Sequence, residues 1–145
     1  MRRLLLIRSA QQLVGDDHPV SAAVYMWHRT RLWLPFVVAT ALLSGFVAWI
    51  ADLETANVVV IAVAVAGVAS FASTRYFVLA RSGDTIWLMT GSPIKRVARA
   101  TVRSDLTTAD ISAAGNTMLA TDWSIANDTY TVPKSCEQDM QVIIA

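Results

Sequence analysis

Two long apolar stretches dominate the pattern of hydrophobic and polar positions. Residues 32–51 and 55–74 each form twenty consecutive uncharged positions with charged residues on both sides. At about 1.5 Å per residue, each stretch is long enough to cross the roughly 30 Å hydrocarbon core of a bilayer. Only Asp52-Leu53-Glu54 separates them, so the pattern predicts an antiparallel transmembrane hairpin. The alternative is a buried helix pair in a soluble protein, which two adjacent uncharged stretches disfavour.

The charges around the two stretches predict their orientation. Arg29 and Arg31 precede the first stretch, Arg75 and Arg81 follow the second, and the connection carries only acidic charges. Because Lys and Arg are enriched in cytoplasmic flanks, both termini are expected on the cytoplasmic side of the cell (inner) membrane, with the chain crossing it twice.

Four aromatic residues are positioned as interface anchors, since their amphipathic rings favour the headgroup region. Trp27, Trp33 and Tyr76 are expected near the cytoplasmic interface and Trp49 near the opposite one. No ionisable residue lies inside either stretch, which disfavours a proton or ion path.

Small residues recur along both stretches at helical spacing and would permit close approach of helix backbones. They are Ala41, Ser44, Gly45, Ala48, Ala62, Ala66 and Ser70. This helix-packing set either binds a partner's transmembrane helix or joins the two helices of the hairpin to each other. Both interpretations are open at this point.

The flanking segments predict a β-rich domain that the hairpin interrupts, giving an N-terminal segment 1–31, the hairpin 32–74 and a cytoplasmic domain 75–145. Aromatic and β-branched residues favour strands. The predicted strands are 21–27, 75–81, 84–89, 97–103, 117–126 and 129–132, with turns at Ser82-Gly83 and Asn127-Asp128. An amphipathic helix is expected over 4–14, and a short C-terminal helix is expected with Ser135 as its N-cap.

The inventory of reactive side chains predicts a protein that is not an enzyme and holds no cofactor. Twelve basic and eleven acidic residues nearly balance, which disfavours a nucleic-acid partner. Cys136 is the single cysteine, and His18 and His28 are the two histidines, so no metal-ligand spacing is present. Asp16-Asp17-His18 is typical of a solvated turn rather than an acid–base cluster.

Lys95, Arg96, Arg99 and Arg103 form a basic patch in the sequence. Near the cytoplasmic face such charges attract anionic lipids or an acidic partner protein. A solvated strand face is the third interpretation, and the sequence leaves all three open.

Three segments resemble the PH-like small β domains of actinobacterial membrane proteins: 13–24, then 76–80 leading into 86–88, and 130–133. The resemblance implies a membrane α+β protein, in which a bent antiparallel sheet with a short C-terminal helix holds the inserted hairpin. By type, the chain is also similar to accessory subunits of actinobacterial respiratory (cytochrome bc-oxidase) supercomplexes. We therefore expect a non-catalytic accessory, assembly or stabilising subunit that binds larger membrane proteins. The alternative is a membrane-tethered PH-like sensor that binds lipid or a protein partner.

Overall fold

The computed structural model describes residues 2–30 and 32–145, with the side chain of Arg2 left out. The chain divides into two compact units. We call Arg29–Thr74 the helical unit, and the segment ending at His28 together with Arg75–Ala145 the sheet unit. In chain order, the helical unit lies between the two segments of the sheet unit. The flanking residue Arg31 lies outside the described residues.

The helical unit consists of α2 (Trp33–Ile50) and α3 (Thr55–Ala72), which contact each other along their length. Both helices are long and apolar enough to cross a membrane, and only 6% of each is buried inside the structure. The helices predicted over 32–51 and 55–74 are therefore confirmed to within two residues at each end. Large exposed apolar faces of this kind mark surfaces that interact with a membrane or with another protein.

The connection between α2 and α3 is a Schellman turn. Asp52 adopts a positive φ of 59°, and its N–H donates to the carbonyl of Trp49 at 3.0 Å. The N–H of Leu53 donates to the carbonyl of Ala48 at 3.3 Å. These two bonds satisfy carbonyls at the end of α2 that would otherwise have no partner. This turn allows the antiparallel reversal with so few residues.

The sheet unit contains α1, seven strands and α4. Its elements are α1 (Arg2–Val14), β1 (Ala22–Arg29), β2 (Thr74–Ser82), β3 (Thr85–Gly91), β4 (Ala98–Leu106), β5 (Ile111–Asn116), β6 (Ala120–Ile125), β7 (Asp128–Pro133) and α4 (Glu137–Ile144). The strands form one antiparallel sheet in the order β4-β3-β2-β1-β7-β6-β5. The predicted helices at either end of the chain and six of the seven strands are confirmed.

The central strands bury both of their faces, as the alternation along β1 shows. Val24 and Met26 belong to one apolar cluster, which also contains residues of α4. Ala23 and Tyr25 belong to a second cluster, which contains residues of α1. Because successive side chains of a strand point to opposite faces, α1 and α4 cover opposite faces of the sheet. This explains why β1 is almost continuously apolar rather than alternating.

Two hairpin turns lie one residue away from their predicted positions. Ser82 pairs with Thr85, so the loop is Gly83-Asp84, with Gly83 at φ 59°. Ile125 pairs with Asp128, so the second loop is Ala126-Asn127, and both residues have positive φ. Two-residue hairpin loops require positive φ at the first or at both central positions. The predictions of Ser82-Gly83 and Asn127-Asp128 were therefore wrong by one residue.

The C-terminal helix begins differently from the prediction. Ser135 lies inside a 3₁₀ turn, Lys134–Cys136, and α4 has Cys136 as its N-cap with no side-chain hydrogen bond. The prediction that Ser135 caps this helix was wrong, because the 3₁₀ turn shifts the helix start by one residue. The turn is stabilised instead by an ion pair between Lys134 and Glu137 at 3.1 Å. A capping box does occur in the chain, between Thr107 and Asp110 before β5.

Candidate interaction surfaces

The helix-packing residues lie on the inner faces of the hairpin. Gly45 is where α2 and α3 approach closely, since a Cβ there would stand 3.7 Å from Ala62 Cβ and 3.8 Å from Val58 Cγ1. Ala48 is buried. The remaining members are half-buried: Ala41, Ser44, Ala62, Ala66 and Ser70. These seven residues are thus more buried than most of the large apolar residues around them, as expected for positions where two helices contact.

The outer surface of the hairpin is lined by large apolar side chains. Most of the exposed large hydrophobic residues that the structure describes lie here, including Leu42, Phe46 and Val68. One side carries an open apolar groove of about 570 Å³, bounded by residues of both helices. Its lining residues are Thr40, Leu43, Ser44, Val47, Ala48, Ala51, Leu53, Ile61 and Val65. The groove has the chemistry of a site for aliphatic chains, whether from lipid or from another helix.

The four proposed aromatic anchors divide between the units. In the helical unit, the guanidinium of Arg29 lies 4.4 Å from the centre of the Trp33 ring, a cation–π contact. Trp49 is exposed near the end of α2 and packs at 6.1 Å against Phe46.

In the sheet unit, Trp27 is half-buried on β1, opposite Thr131 of β7. Tyr76 is half-buried on β2 and stacks on Tyr25 at 5.7 Å. These two rings are therefore integrated into the sheet, in contrast to the exposed Trp49.

The structure separates the basic patch into two features. Lys95 and Arg96 lie in the loop between β3 and β4, whereas Arg99 and Arg103 lie on β4 itself. Three register shifts interrupt the pairing of β3 with β4. Arg99 occupies one of them, since Gly91 pairs with the residue before it and Thr90 with the residue after it. Bulges and charges are common on edge strands, where they prevent pairing with another chain.

Arg103 makes an ion pair with Asp105 at 3.1 Å, and both side chains are at least half exposed. Such an exposed pair contributes little to stability. Lys95, Arg96 and Arg99, by contrast, have no ion-pair partner among the described residues. Of these three, Lys95 and Arg96 lie together in the loop.

Tyr25 connects this loop to the sheet. Its hydroxyl donates to the carbonyl of Ser92 at 2.9 Å, and the guanidinium of Arg96 lies 5.6 Å from the centre of its ring. Burial raises the pKa of Tyr25 to about 12; the neighbouring Tyr76 adds to the rise and Arg96 opposes it. The neutral phenol is thus the form that stabilises the loop.

The reactive side chains of the sequence occupy structural positions. His28 Nδ1 lies 2.8 Å from the carbonyl of Thr129, so this nitrogen carries the proton. Cys136 is half-buried beside Ser135, with the two side chains 3.9 Å apart. No cluster of three or more His, Cys, Asp or Glu side chains that could hold a metal ion occurs within residues 2–30 and 32–145.

The turn that contains Asp16, Asp17 and His18 is organised by Gln11. The side-chain amide of Gln11 donates to the carbonyls of Gly15 and His18, and its oxygen accepts from the N–H of Val20. The turn therefore connects α1 to β1 through a side chain that the sequence did not single out.

Sequence reasoning missed two exposed apolar sites on the sheet unit. Ile94, in the loop after β3, is 86% exposed, and Met118 and Leu119, in the turn between β5 and β6, are also largely exposed. An apolar residue inside a Gly-Ser-Pro turn was the available signal for Ile94, because turns normally carry polar residues.

Comparison with known proteins finds no matching family model, no matching curated protein and no matching solved structure.

Proposed function

We propose that the chain is a non-catalytic accessory subunit of a larger membrane protein complex. In this proposal the helical unit binds in the bilayer beside partner subunits, and the sheet unit stabilises or assembles them from the cytoplasmic side. The observation that carries the proposal is the hairpin surface: two apolar helices that are only 6% buried, together with the apolar groove that both helices line.

The distribution of side-chain sizes supports a partner helix at this groove. The small residues around Gly45 and Ala48 are used where α2 meets α3, so they hold the hairpin in one packed arrangement. The groove residues Leu43 and Val47 then form a fixed surface that differs in shape from the convex sides of the helices. Helix association in lipid depends on such shape complementarity, because lipid tails are as apolar as leucine.

The sheet unit supports the PH-like part of the proposal. A single antiparallel seven-stranded sheet with β1 between β2 and β7, and a C-terminal helix that contributes Met140 and Ile143 to the core, agree with the arrangement that the resemblance implies. The fold itself carries no function. In an assembly, the sheet unit would supply a folded domain whose two segments flank the hairpin in the chain.

The orientation with both termini in the cytoplasm is part of the proposal. It is supported by the acidic residues Asp52 and Glu54 in the connection and by Arg29 and Arg75 at the outer ends of the helical unit. Single-cysteine variants of the chain are expressed in cells with Cys136→Ala as the background. A membrane-impermeant maleimide should label Leu53→Cys in intact cells and should label Arg75→Cys only after lysis. The opposite labelling pattern would reverse the topology.

The decisive experiment is purification of the full chain from its native membrane in a mild detergent through a C-terminal tag, followed by mass spectrometry after size exclusion. Stoichiometric co-purification of larger membrane subunits is expected, and oxidase and cytochrome subunits are the first candidates to look for. A clean monomer or homodimer would contradict the accessory role and favour the membrane-tethered lipid- or partner-binding module.

Cross-linking tests the groove itself with a matched pair of positions. Leu43 and Leu42 are adjacent and similarly exposed, at 64% and 70%, but only Leu43 lines the groove. A photo-cross-linking amino acid at position 43 should attach to a membrane protein partner in native membranes, whereas the same probe at position 42 should not. Equal protein adducts at both positions, or none at either, would rule out the groove as the binding site.

A further inference from the structure

The loop between β3 and β4, residues 92–97, is closed by its own hydrogen bonds. The N–H of Ser92 donates to the carbonyl of Val97 at 2.9 Å, and the N–H of Arg96 donates back to the carbonyl of Ser92 at 3.1 Å. The N–H of Lys95 lies 3.3 Å from Ser92 Oγ. We call this segment the Ile94 loop. Its shape is set by local bonds, not by contacts at its tip.

The Ile94 loop is also fixed to the sheet below it. Ser92 is only 2% exposed, and its carbonyl accepts the hydroxyl of Tyr25 as described above. At the start of β4, the N–H of Ala98 donates to Ser9 Oγ of α1 at 3.0 Å. The loop is therefore anchored at both ends, and a side chain at its tip is held away from the core.

This fixed loop presents an apolar residue to the surroundings. Ile94 is 86% exposed, and among the large hydrophobic side chains described in the sheet unit only Met118 is more exposed. Pro93 is exposed beside it. Leu5 of α1 is exposed too, and together with the loop it lines a pocket of about 400 Å³. An isolated exposed leucine needs no explanation, but a rigid loop that holds an isoleucine outward does.

Basic side chains surround the exposed isoleucine. Lys95 and Arg96 line the same pocket as Ile94, and the ion pairs of the described residues involve other cations: Arg3, Arg103 and Lys134. An apolar tip next to unpaired cations matches the surface of an anionic bilayer, where aliphatic groups enter the acyl boundary and cations bind lipid phosphates.

The short chain connection between α3 and the strand below the loop favours a bilayer as the partner of the loop. A Cβ at Gly91, the residue before the loop, would lie 3.3 Å from backbone atoms of both Tyr76 and Phe77. Helix α3 ends at Ala72, so four residues connect it to Tyr76, which span at most about 14 Å. A membrane crossed by α3 is therefore within chain reach of the strand on which the loop rests.

We propose that the Ile94 loop inserts Ile94 into the headgroup region of the anionic cytoplasmic leaflet, while Lys95 and Arg96 bind phospholipid phosphates. This rests on the membrane anchorage of the helical unit in the proposed function, but not on the accessory role.

Fluorescence of the full chain in lipid nanodiscs tests this proposal. In a Cys136→Ala background, an environment-sensitive dye is attached at Ile94→Cys and compared with the same dye at Met118→Cys, a similarly exposed site in the turn before β6. In phosphatidylglycerol-containing discs, the dye at position 94 should shift to the blue and be quenched by lipids with a nitroxide near the headgroup. The dye at position 118 should do neither.

Charge reversal tests the role of the cations. Lys95→Glu with Arg96→Glu should abolish the quenching at position 94, and high salt should weaken it, because surface charges are screened. The control is Arg103→Glu on β4, because Arg103 is already paired with an acid. This variant should keep at least half of the quenching at position 94. The reference is the quenching at position 94 with the native cations in phosphatidylglycerol-containing discs. Quenching just as strong in purely neutral discs and in the double variant would show that the cations play no part, and would overturn the proposal.

A third dye position separates this proposal from the membrane anchorage. A dye at Leu42→Cys, on the exposed side of α2, reports whether the hairpin is in lipid. Lipid quenching at 42 with a water-exposed dye at 94 would overturn the loop proposal alone. Water-exposed dyes at both positions would overturn the membrane anchorage together with it.

Discussion

The guanidinium of Arg81 closes the C-terminal end of α4 by donating to the backbone carbonyl of Ile143 at 3.0 Å. The same Nη1 lies 3.3 Å from the carbonyl of Val142, and Nε donates to the carbonyl of Gly83 at 2.8 Å. A cation at a helix C-terminus also interacts favourably with the helix dipole. Arg81 thus holds the last turn of α4 on β2, although the sequence suggested only a charge that flanks the second transmembrane stretch.

Loss of this contact should destabilise the sheet unit. Arg81→Ala is expected to cost about 1–2 kcal/mol, because it removes charge-assisted hydrogen bonds to carbonyls at the end of a helix. The free energy of unfolding from chemical denaturation in detergent measures the loss. Arg99→Ala is the matched control, since Arg99 is exposed on the edge strand β4. Equal stabilities for the two variants would contradict a structural role for Arg81.

A second prediction concerns the close approach at Gly91. A Cβ there would lie 3.1 Å from Tyr25 Cε2 and 3.3 Å from backbone atoms of Tyr76 and Phe77. The backbone cannot move aside as easily as a side chain end, so Gly91→Ala should cost about 1–3 kcal/mol. The same denaturation measurement tests it.

The control for this substitution is Gly67→Ala in α3. Nothing lies within 4 Å of a Cβ at Gly67, and alanine is the better helix former by up to about 1 kcal/mol. Gly67→Ala should therefore leave stability unchanged or slightly raised. A loss at position 67 as large as that at position 91 would show that the steric argument is wrong.

The reversal between α2 and α3 gives a third prediction. Asp52 holds a left-handed conformation that glycine adopts without steric cost. Asp52→Gly should stabilise the hairpin by up to about 1 kcal/mol, and Asp52→Val should destabilise it. The concentration of sodium dodecyl sulfate that halves the helical circular dichroism signal ranks the native chain and the two variants by stability. An order other than glycine above aspartate above valine would contradict the Schellman assignment.

The parts of the fold that the sequence predicts are those with strong local signals. Uncharged stretches of fixed length predict α2 and α3, and aromatic or β-branched runs predict most strands. Strand β5, residues Ile111–Asn116, has only one buried residue, Ile111. Its conformation comes from pairing with β6. Because its other residues are exposed, its sequence has no alternation of apolar and polar residues from which a strand could be predicted. Likewise, the position of the turn at Ala126 depends on which residues of β6 and β7 pair.

The candidate surfaces follow the same division. The small residues around Gly45 are visible in the sequence because helical spacing is local. The Ile94 loop is not visible in the sequence, because it is held by the contact of Tyr25 with Ser92, and these two residues are 67 positions apart. Four basic residues close in sequence predict a single patch, but bulges along β4 and the pairing of Arg103 with Asp105 separate them into two features.

The raised pKa of Tyr25 predicts how stability depends on pH. Burial raises this pKa to about 12 in the folded protein, against about 10 in the unfolded chain. Below pH 10 the phenol is neutral in both states. Between about pH 10 and 12 only the unfolded chain loses this proton, so the free energy of unfolding falls as pH rises and levels off above the folded pKa.

Tyr25→Phe tests this dependence, because phenylalanine cannot titrate. Below pH 10 the variant should be less stable than the native chain, since the hydrogen bond to Ser92 is gone. Between pH 10 and 12 its stability should fall less steeply than that of the native chain, so the difference between the two should shrink. Some fall in the free energy of unfolding with rising pH remains in both proteins, because burial also raises the pKa of Tyr130. Denaturation midpoints at half-unit pH intervals measure both curves. Parallel curves would mean that the Tyr25 hydroxyl is accessible to solvent and is not held against the Ile94 loop. Converging curves support a buried hydroxyl that is bonded to the carbonyl of Ser92.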